Sequence, residues 1–381
     1  MNTETPCMLK SRMKQAELGK DVVAVLKEAR LEGVYQELDK INVSQMLITD
    51  PISIYYLTGK LIEPMERLLA LYIRKGQTPK LFLNRLFFCP EELGVEKIWM
   101  DDHEDGPLRI SLETDHAEKL GVDKELPAKY LLPLMEYGAG TAFVNTSIAV
   151  DYQRGIKDEE EQRLMIRSSQ INDAAMEEFQ KLLRPGITEA EMAEQFPEIY
   201  KRLGADRGAG AVSFGKNAAD PHHKADNTVL QEGDAVLLDI SGSLKGYRSD
   251  MTRTFFYHHV PEQARDIYEI VRRANQAAEQ AVRPGGRLCE LDRIARDIIT
   301  EAGYGAYFTH RLGHFIGLQV HEYGELSSTS RIEAKAGMVF SIEPGIYLPD
   351  QTGVRIEDLI LVTDAGCRIL NHFPKELRII P

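Results

Sequence analysis

Asp239, Asp250, His314, Glu343 and Glu357 are four carboxylates and one imidazole. Each sits in a short apolar or glycine-marked segment: LLDISG, SDMTRTFF, LGHFIG, FSIEPG and GVRIEDLIL. An unpaired charge is costly in such surroundings, and buried carboxylates are tolerated when paired or bound to metal. Four acids with a single histidine suit a hard or borderline divalent ion better than a thiolate-type zinc site. The set points to metal-dependent hydrolysis.

The spacing of the acids supports a shared site. Residues 236–240 are apolar and bounded by Gly233 and Gly242, whereas 252–257 are β-branched and aromatic, with Lys245-Gly246 between the two runs. This pattern predicts a hairpin. With its turn centred on Leu244-Lys245, Asp239 falls opposite Asp250, and opposed side chains on one face lie roughly 4.5–5.5 Å apart at Cβ. Two like charges there repel unless a cation lies between them. A second pair of apolar runs, 339–342 and 354–362, carries Glu343 and Glu357 around a Pro-Asp-Gln-Thr-Gly loop. A salt-bridged fold could use any one of these acids structurally, but two acid-bearing hairpins and a histidine are harder to explain that way.

A chain of 381 residues exceeds one ordinary core and predicts two domains. With 43% hydrophobic and 28% charged residues it has a soluble globular composition. No apolar run approaches the roughly 18–20 residues of a membrane span. The first 21 residues are polar and mixed in charge, unlike the apolar centre of a secretory leader. Cys7, Cys89, Cys289 and Cys367 are scattered without CxxC spacing, which argues against a disulfide framework and for a reducing cytoplasm. The net charge of −13, from 46 basic and 59 acidic residues, disfavours a nucleic-acid partner.

Three segments are expected: an N-terminal extension at 1–20, an α/β domain at 21–153, and a catalytic domain at 154–381. In the α/β domain, helical spacing covers 22–39, and strand-like runs follow at 46–48, 68–73, 81–83, 98–100 and 142–144. No metal-type grouping occurs there. The polar stretch 151–161 reads as a linker.

The catalytic domain repeats itself. Leu164, Ser168, Ile171, Ala175, Phe179 and Leu182 form a helical stripe ending at Arg184-Pro185-Gly186. Ile267, Val271, Ala274, Ala278 and Ala281 form another, ending at Arg283-Pro284-Gly285. Each RPG leads into a further helix, the first with a Thr188…Glu191 capping box. Gly233 precedes Asp239 by six residues and Gly337 precedes Glu343 by six. Two such halves facing each other bring the four acids to a pseudo-twofold axis, so the expected fold is α+β with an internal duplication.

The ordered segments PHH, LDISG…GYRSDMTRTF, HRLGHFIGLQVHE, SIEPGIY and GVRIED resemble the pita-bread metallopeptidases. That family includes methionine aminopeptidase, aminopeptidase P, prolidase and the metal-free creatinase. The resemblance is strong over 155–381 and looser over 22–150, through SIYYLTG. The length and the final KELRIIP look most like bacterial prolidase, the Xaa-Pro dipeptidase. It implies a pita-bread catalytic domain preceded by a creatinase-like α/β domain.

The resemblance also assigns roles. Asp239 would be a terminal ligand of one ion, Asp250 and Glu357 would bridge two ions, and His314 and Glu343 would complete the other site. Manganese is the expected ion, with cobalt, iron or zinc as alternatives. The implied reaction is hydrolysis of the Xaa-Pro bond of dipeptides by a metal-bridging hydroxide, with Glu343 as proton shuttle. His222 would touch the scissile bond or leaving group, and His321 would line the same pocket and stabilise the oxyanion. His223 is read as a solvated loop residue. Tyr247, Arg253 and Arg355 are read as groups that orient ligands. One departure concerns the substrate carboxylate: no arginine follows the VHE segment before Arg331, so either Arg331 or Arg355 binds it or it is not strongly read, which keeps aminopeptidase P activity as the runner-up.

The competing readings are an aminopeptidase acting on longer peptides, a creatinase-like C–N hydrolase, and a non-catalytic binding protein. All five ligand positions and both histidines are present, which disfavours the last two. Family likeness further implies a cytoplasmic homodimer, with the N-terminal lobe of one chain near the other's pocket, acting on small peptides with proline after the scissile bond.

Overall fold

The structure, a computed structural model, describes residues 25–381. The expected extension at 1–20 and the first residues of the α/β domain lie outside the described residues. The chain forms two compact units divided between Arg154 and Gly155.

The first unit is a six-stranded sheet with helices between its strands. β1 (Gln45–Ile48), β2 (Ala70–Arg74), β3 (Lys80–Asn84), β4 (Glu96–Met100), β5 (Leu120–Val122) and β6 (Phe143–Asn145) lie in the order β4-β3-β2-β1-β5-β6. The helices are α1 (Glu28–Lys40), α2 (Pro51–Thr58), α3 (Gly106–Ser111), α4 (Ala128–Glu136) and α5 (Ser147–Gly155). The expected strands are present, but β5 and α2 were not foreseen. The SIYYLTG segment is helical because Asp50 accepts the N–H groups of Ile52 and Ser53 at 3.1 and 3.0 Å, Pro51 opens the first turn, and Gly59 ends it at φ 66°.

The second unit begins with α6 (Glu159–Gln180), α7 (Glu189–Ala193) and α8 (Phe196–Arg202). The strands β7 (Arg207–Phe214), β8 (Ala235–Leu244), β9 (Tyr247–Arg248) and β10 (Met251–Tyr257) follow. The second half opens with α9 (Glu262–Ala281) and α10 (Leu288–Glu301), then β11 (Gly313–His314) and β12 (Glu325–Leu326). It closes with β13 (Val339–Ile342), β14 (Gly345–Leu348), β15 (Thr352–Arg355), β16 (Asp358–Thr363), β17 (Gly366–Ile369) and β18 (Ile379–Ile380). The two halves differ after their RPG turns. The first helix is split into α7 and α8 at Pro197, which lacks a helical N–H, whereas α10 runs unbroken.

The stretch 151–161 does contain the boundary between the two units, but most of it is helical rather than loose chain. Its first residues finish α5, and Asp158 caps α6 by accepting the Glu161 N–H at 2.9 Å. Glu161 is itself buried and accepts the Tyr247 hydroxyl at 2.9 Å. Part of the polarity of this connecting stretch belongs to helix caps and buried bonds.

Each half of the second unit packs its long helix on its own hairpin. Phe179, Tyr200, Val236 and Phe255 belong to one apolar cluster, and Val271, Leu288, Phe340 and Ile360 to the other. Both long helices aim a buried asparagine at a strand carbonyl beside an acid. Asn172 donates to Ile240 O and Asn275 donates to Ile342 O, each at 3.0 Å. Burial thus fixes the backbone on which the acids sit.

Candidate metal centre and active site

The β8–β10 hairpin turns at Lys245-Gly246, with φ 49° and 83°. Both central residues in the left-handed region favour a two-residue turn whose twist matches the strands. The expected turn centre, Leu244-Lys245, was therefore one residue early. Asp239 lies across from Thr252, not Asp250. Because the pairing shifts by two residues, both acids keep the same face. They are diagonal neighbours rather than an opposed pair.

The second hairpin is interrupted at its acids. Ile342 pairs with Asp358 and Gly345 with Arg355, so Glu343 and Glu357 face each other in the gap between two ladders. Their N–H groups are used to join other elements. Glu343 donates to Leu312 O at 2.8 Å and Glu357 to Thr252 O at 3.1 Å. The Thr252 hydroxyl also donates to Glu357 Oε2 at 2.7 Å. These bonds tie the second hairpin to the first and to the segment carrying His314.

His314 enters on β11, where its N–H donates to Ser341 Oγ at 3.0 Å. A Cβ on Gly313 would lie 1.9 Å from Ser341 O, so only glycine permits this approach. His314 Nδ1 faces Phe315 O at 3.3 Å, which assigns the proton there and leaves Nε2 as a lone pair. Nε2 lies 3.3 Å from Glu343 Oε1 and 4.0 Å from Asp250 Oδ2. One donor atom each of Asp250, His314 and Glu357 lies within 4.8 Å of the others.

Asp239 closes the group through Arg355, whose Nη2 donates to Asp239 Oδ2 at 2.7 Å. Arg355 is buried and also donates to Thr252 Oγ1 at 3.1 Å and Tyr347 Oη at 3.0 Å. The Tyr347 oxygen, accepting from Arg355, donates onward to His310 Nε2 at 2.8 Å, and His310 Nδ1 donates to Arg311 O at 2.7 Å. Arg355 thus spans Asp239, Thr252 and Tyr347 with one N–H from each of its three nitrogens. Arg331 is exposed, and no hydrogen bond or ion pair joins it to the cluster among the described residues.

The electrostatics match this crowding. Burial, then the charges of Asp239 and Glu343, pushes Asp250 far above the usual carboxylate range. Burial, then Asp250 and the other acids, does the same to Glu357. Burial raises Glu343 to about 7, against the pull of Arg355. His314 is held down to about 3, by burial first and by the charge of His321 second. Asp250, Glu343 and Glu357, packed around an imidazole, therefore resist ionising together, and added positive charge would relieve them. Oxygen donors with one imidazole nitrogen fit divalent cations, and this donor set fits the expected metal ions.

His321 stacks edge-on against His314, with ring centroids 4.3 Å apart at 81°. His222 is exposed on the 220–228 loop. Burial first, and neighbouring arginines after it, hold His310 down to about 4 and lower His321 as well. His223 departs from the solvated reading, because its Nε2 lies 2.6 Å from the buried Glu189 Oε2. Arg253 also lies deeper than expected, donating to Asp358 Oδ1, Glu357 O and Phe373 O at 2.7 Å each. Thr252, Ser341, Tyr347 and Glu189 were missed. Thr252 and Ser341 each lie two residues from a ligand candidate, the alternation that returns a strand side chain to the same face.

The comparisons agree with this architecture. Residues 163–364 match metallopeptidase family M24, and 30–156 match the creatinase/prolidase N-terminal domain. An uncharacterized peptidase of Staphylococcus aureus is 36% identical over 356 residues, covering 91% of this chain and 99% of that protein. The crystal structure of dipeptidase PepE from Mycobacterium ulcerans is similar at TM-score 0.87 and 33% identity, over 93% of this chain and 98% of that one. The Xaa-Pro dipeptidase from Bacillus anthracis gives TM-score 0.85 and 30% identity, over 92% and 99%. The chain belongs to metallopeptidase family M24. It is an enzyme of the pita-bread type, with a creatinase-like N-terminal unit and prolidases among its structural neighbours.

Proposed function

We propose that this chain hydrolyses the Xaa-Pro bond of dipeptides, using two divalent ions held by Asp239, Asp250, His314, Glu343 and Glu357. The observation that carries the reading is the meeting of two acid-bearing hairpins around the unprotonated Nε2 of His314. Divalent ions bound there would activate water and polarise the scissile carbonyl. The protein's own groups supply the rest. Asp250 and Glu357, both buried beside His314, would be shared by the two ions. Glu343 would also serve as the proton shuttle between the attacking water and the leaving nitrogen. His222 would meet the scissile bond or the leaving nitrogen, and His321 would donate to the developing oxyanion.

Proline explains the need for such a centre. Its nitrogen carries no N–H, so recognition through that donor is closed. The dipeptidases among the similar structures support a short substrate. One observation favours the second reading, an aminopeptidase for longer peptides: Arg355 is occupied and Arg331 lies outside the cluster. Manganese suits the oxygen-rich donors best, and a cytoplasmic homodimer accords with the family likeness. Among the described residues no helix is long and apolar enough to cross a membrane.

The test is hydrolysis of Ala-Pro, Leu-Pro, Met-Pro and Ala-Ala by protein loaded with manganese, cobalt, iron or zinc. Metal-dependent cleavage confined to the proline dipeptides is expected. Elemental analysis finding no bound metal in active protein, with activity untouched by a chelator, sinks the proposal. His222→Ala and His321→Ala should retain metal but lose roughly 10²–10³ in kcat, the usual cost of a lost transition-state donor.

A further inference from the structure

Glu189 has a fully buried side chain at the start of α7. Its Oε1 accepts from the Phe214 N–H at 2.6 Å and Asn217 Nδ2 at 3.0 Å. Its Oε2 meets His223 Nε2 at 2.6 Å and accepts the Asp226 N–H at 3.2 Å. A carboxylate so buried is costly without partners, and all four of these belong to the segment from the end of β7 through the His222 loop. Glu189, His223 and Asp226 also lie close enough to hold a metal. With both Glu189 oxygens already engaged by nitrogen groups, the arrangement reads as a hydrogen-bonded clamp.

The internal duplication provides a control within the same chain. Thr188 bridges to Val229 in the first half as Arg287 bridges to Glu333 in the second. The next residue donates its N–H in the same way: Glu189 to Thr228 O at 3.2 Å, Leu288 to Ile332 O at 3.0 Å. Leu288 is therefore the twin of Glu189, and it is fully buried in an apolar cluster. The backbone position accepts leucine where no histidine loop must be held. The acid answers a local need of the first half.

That need is visible at the dipeptide. Asp220 accepts the His222 N–H on Oδ1 at 2.9 Å and the His223 N–H on its carbonyl at 3.1 Å. From this turn His223 lies inward against Glu189, whereas the adjacent His222 is exposed. Anchoring one ring fixes the backbone that aims the other.

We propose that Glu189 and His223 are positioning residues that hold His222 in register with the metal centre. The proposal rests on the reading of His222 as a group that meets the scissile bond. A misplacement of about 1 Å at such a group costs roughly 10²-fold in rate.

The test is a double-mutant cycle on the full-length, metal-loaded enzyme. Glu189→Gln and His223→Gln are each made with and without His222→Ala, and kcat, KM, metal content and Tm are measured. With His222 present, each should lower kcat roughly 10–100-fold at nearly constant KM and unchanged metal content. With His222→Ala in place, the same changes should alter kcat by less than about twofold. An equal loss in both backgrounds overturns the proposal, because the pair would then act only on the fold. Should Glu189→Gln prove too unstable, His223→Gln leaves Glu189 its other donors and carries the cycle.

A second measurement does not depend on catalysis. In zinc-loaded, histidine-labelled protein, the His222 imidazole signal is identified by its loss in His222→Ala. His223→Gln should shift or broaden that signal while leaving His372 unmoved, and an unchanged His222 signal overturns the proposal. If His222→Ala keeps full activity, the catalytic reading of His222 fails, and this spectrum still decides whether the clamp positions the ring.

Discussion

Arg355 Nη2 donates to Asp239 Oδ2 at 2.7 Å across a buried site, joining the far end of the second hairpin to the middle of the first. The same guanidinium spans Thr252 and Tyr347, so its planar fork holds three groups in fixed relation. Arg355→Ala should weaken metal binding roughly 10–100-fold, the usual effect of losing a partner that orients a ligand. Arg355→Lys should not restore it, because one ammonium cannot reproduce the fork. Titration of metal into the variants checks this. A variant that binds metal normally but raises KM for Ala-Pro over its amide would return Arg355 to the role of carboxylate reader.

The acids themselves differ in what each would serve. Asp250 and Glu357 are buried and stand with His314 in one tight group, whereas Asp239 is partly exposed and reached through Arg355. Asp250→Asn and Glu357→Gln should each lose both ions, and Asp239→Asn should keep part of its metal. Counting bound metal per chain in the three purified variants decides it. Equal loss in all three leaves the shared-ligand assignment without support.

Much of this site was legible because charge in an apolar strand is conspicuous. LLDISG and GVRIEDLIL expose their acids by contrast with their neighbours, and the RPG repeat announces two halves. Register was harder. Lys245-Gly246 and Leu244-Lys245 are both plausible turn centres by composition, and the choice rests on positive φ at both central residues, for which glycine at the second is the cue. Long-range partners were hardest. Glu189 and His223 are 34 residues apart, and Arg355 and Asp239 are 116 apart. Nothing local marks such residues as neighbours. The stretch 151–161 marked the boundary between the units, but not its helical form, because capping acids and linker acids look alike in composition.

The crowded acids make the metal-free protein sensitive to pH in a defined direction. Glu343 is raised to about 7, and Asp250 and Glu357 are raised well above the ordinary carboxylate range. A raised acid stabilises the fold while protonated, and that stability is lost as pH climbs through its folded pKa. The buried histidines act in the opposite sense. His310 at about 4 and His314 at about 3 contribute stability above their ordinary 6.5 that is lost as pH falls. Above pH 6.5 only the acids' slope remains. The Tm of chelator-treated protein should therefore fall between pH 6.5 and about 8, and divalent ions should flatten the decline. A Tm that stays level or rises in the chelated protein contradicts the assigned burial of charge.

Substrate length rests on what ends the pocket. A site for dipeptides must read or block the C-terminal carboxylate, and the two expected readers stand in different surroundings. Arg355 is bound to Asp239, Thr252 and Tyr347, whereas Arg331 is exposed beyond β12. The proposed dipeptidase activity requires a closed pocket, so Ala-Pro should be cleaved much faster than Ala-Pro-Ala. If Arg331 supplies the charge, Arg331→Ala should raise KM for Ala-Pro more than for its amide. A charge-assisted contact of that kind contributes about 1.5–3 kcal/mol, or roughly 10–100-fold in binding. If the variant binds both substrates as the parent does while the tripeptide remains a poor substrate, closure is steric. Tripeptide turnover equal to that of the dipeptide ends the dipeptidase reading and makes release of the residue before proline from longer peptides the better description.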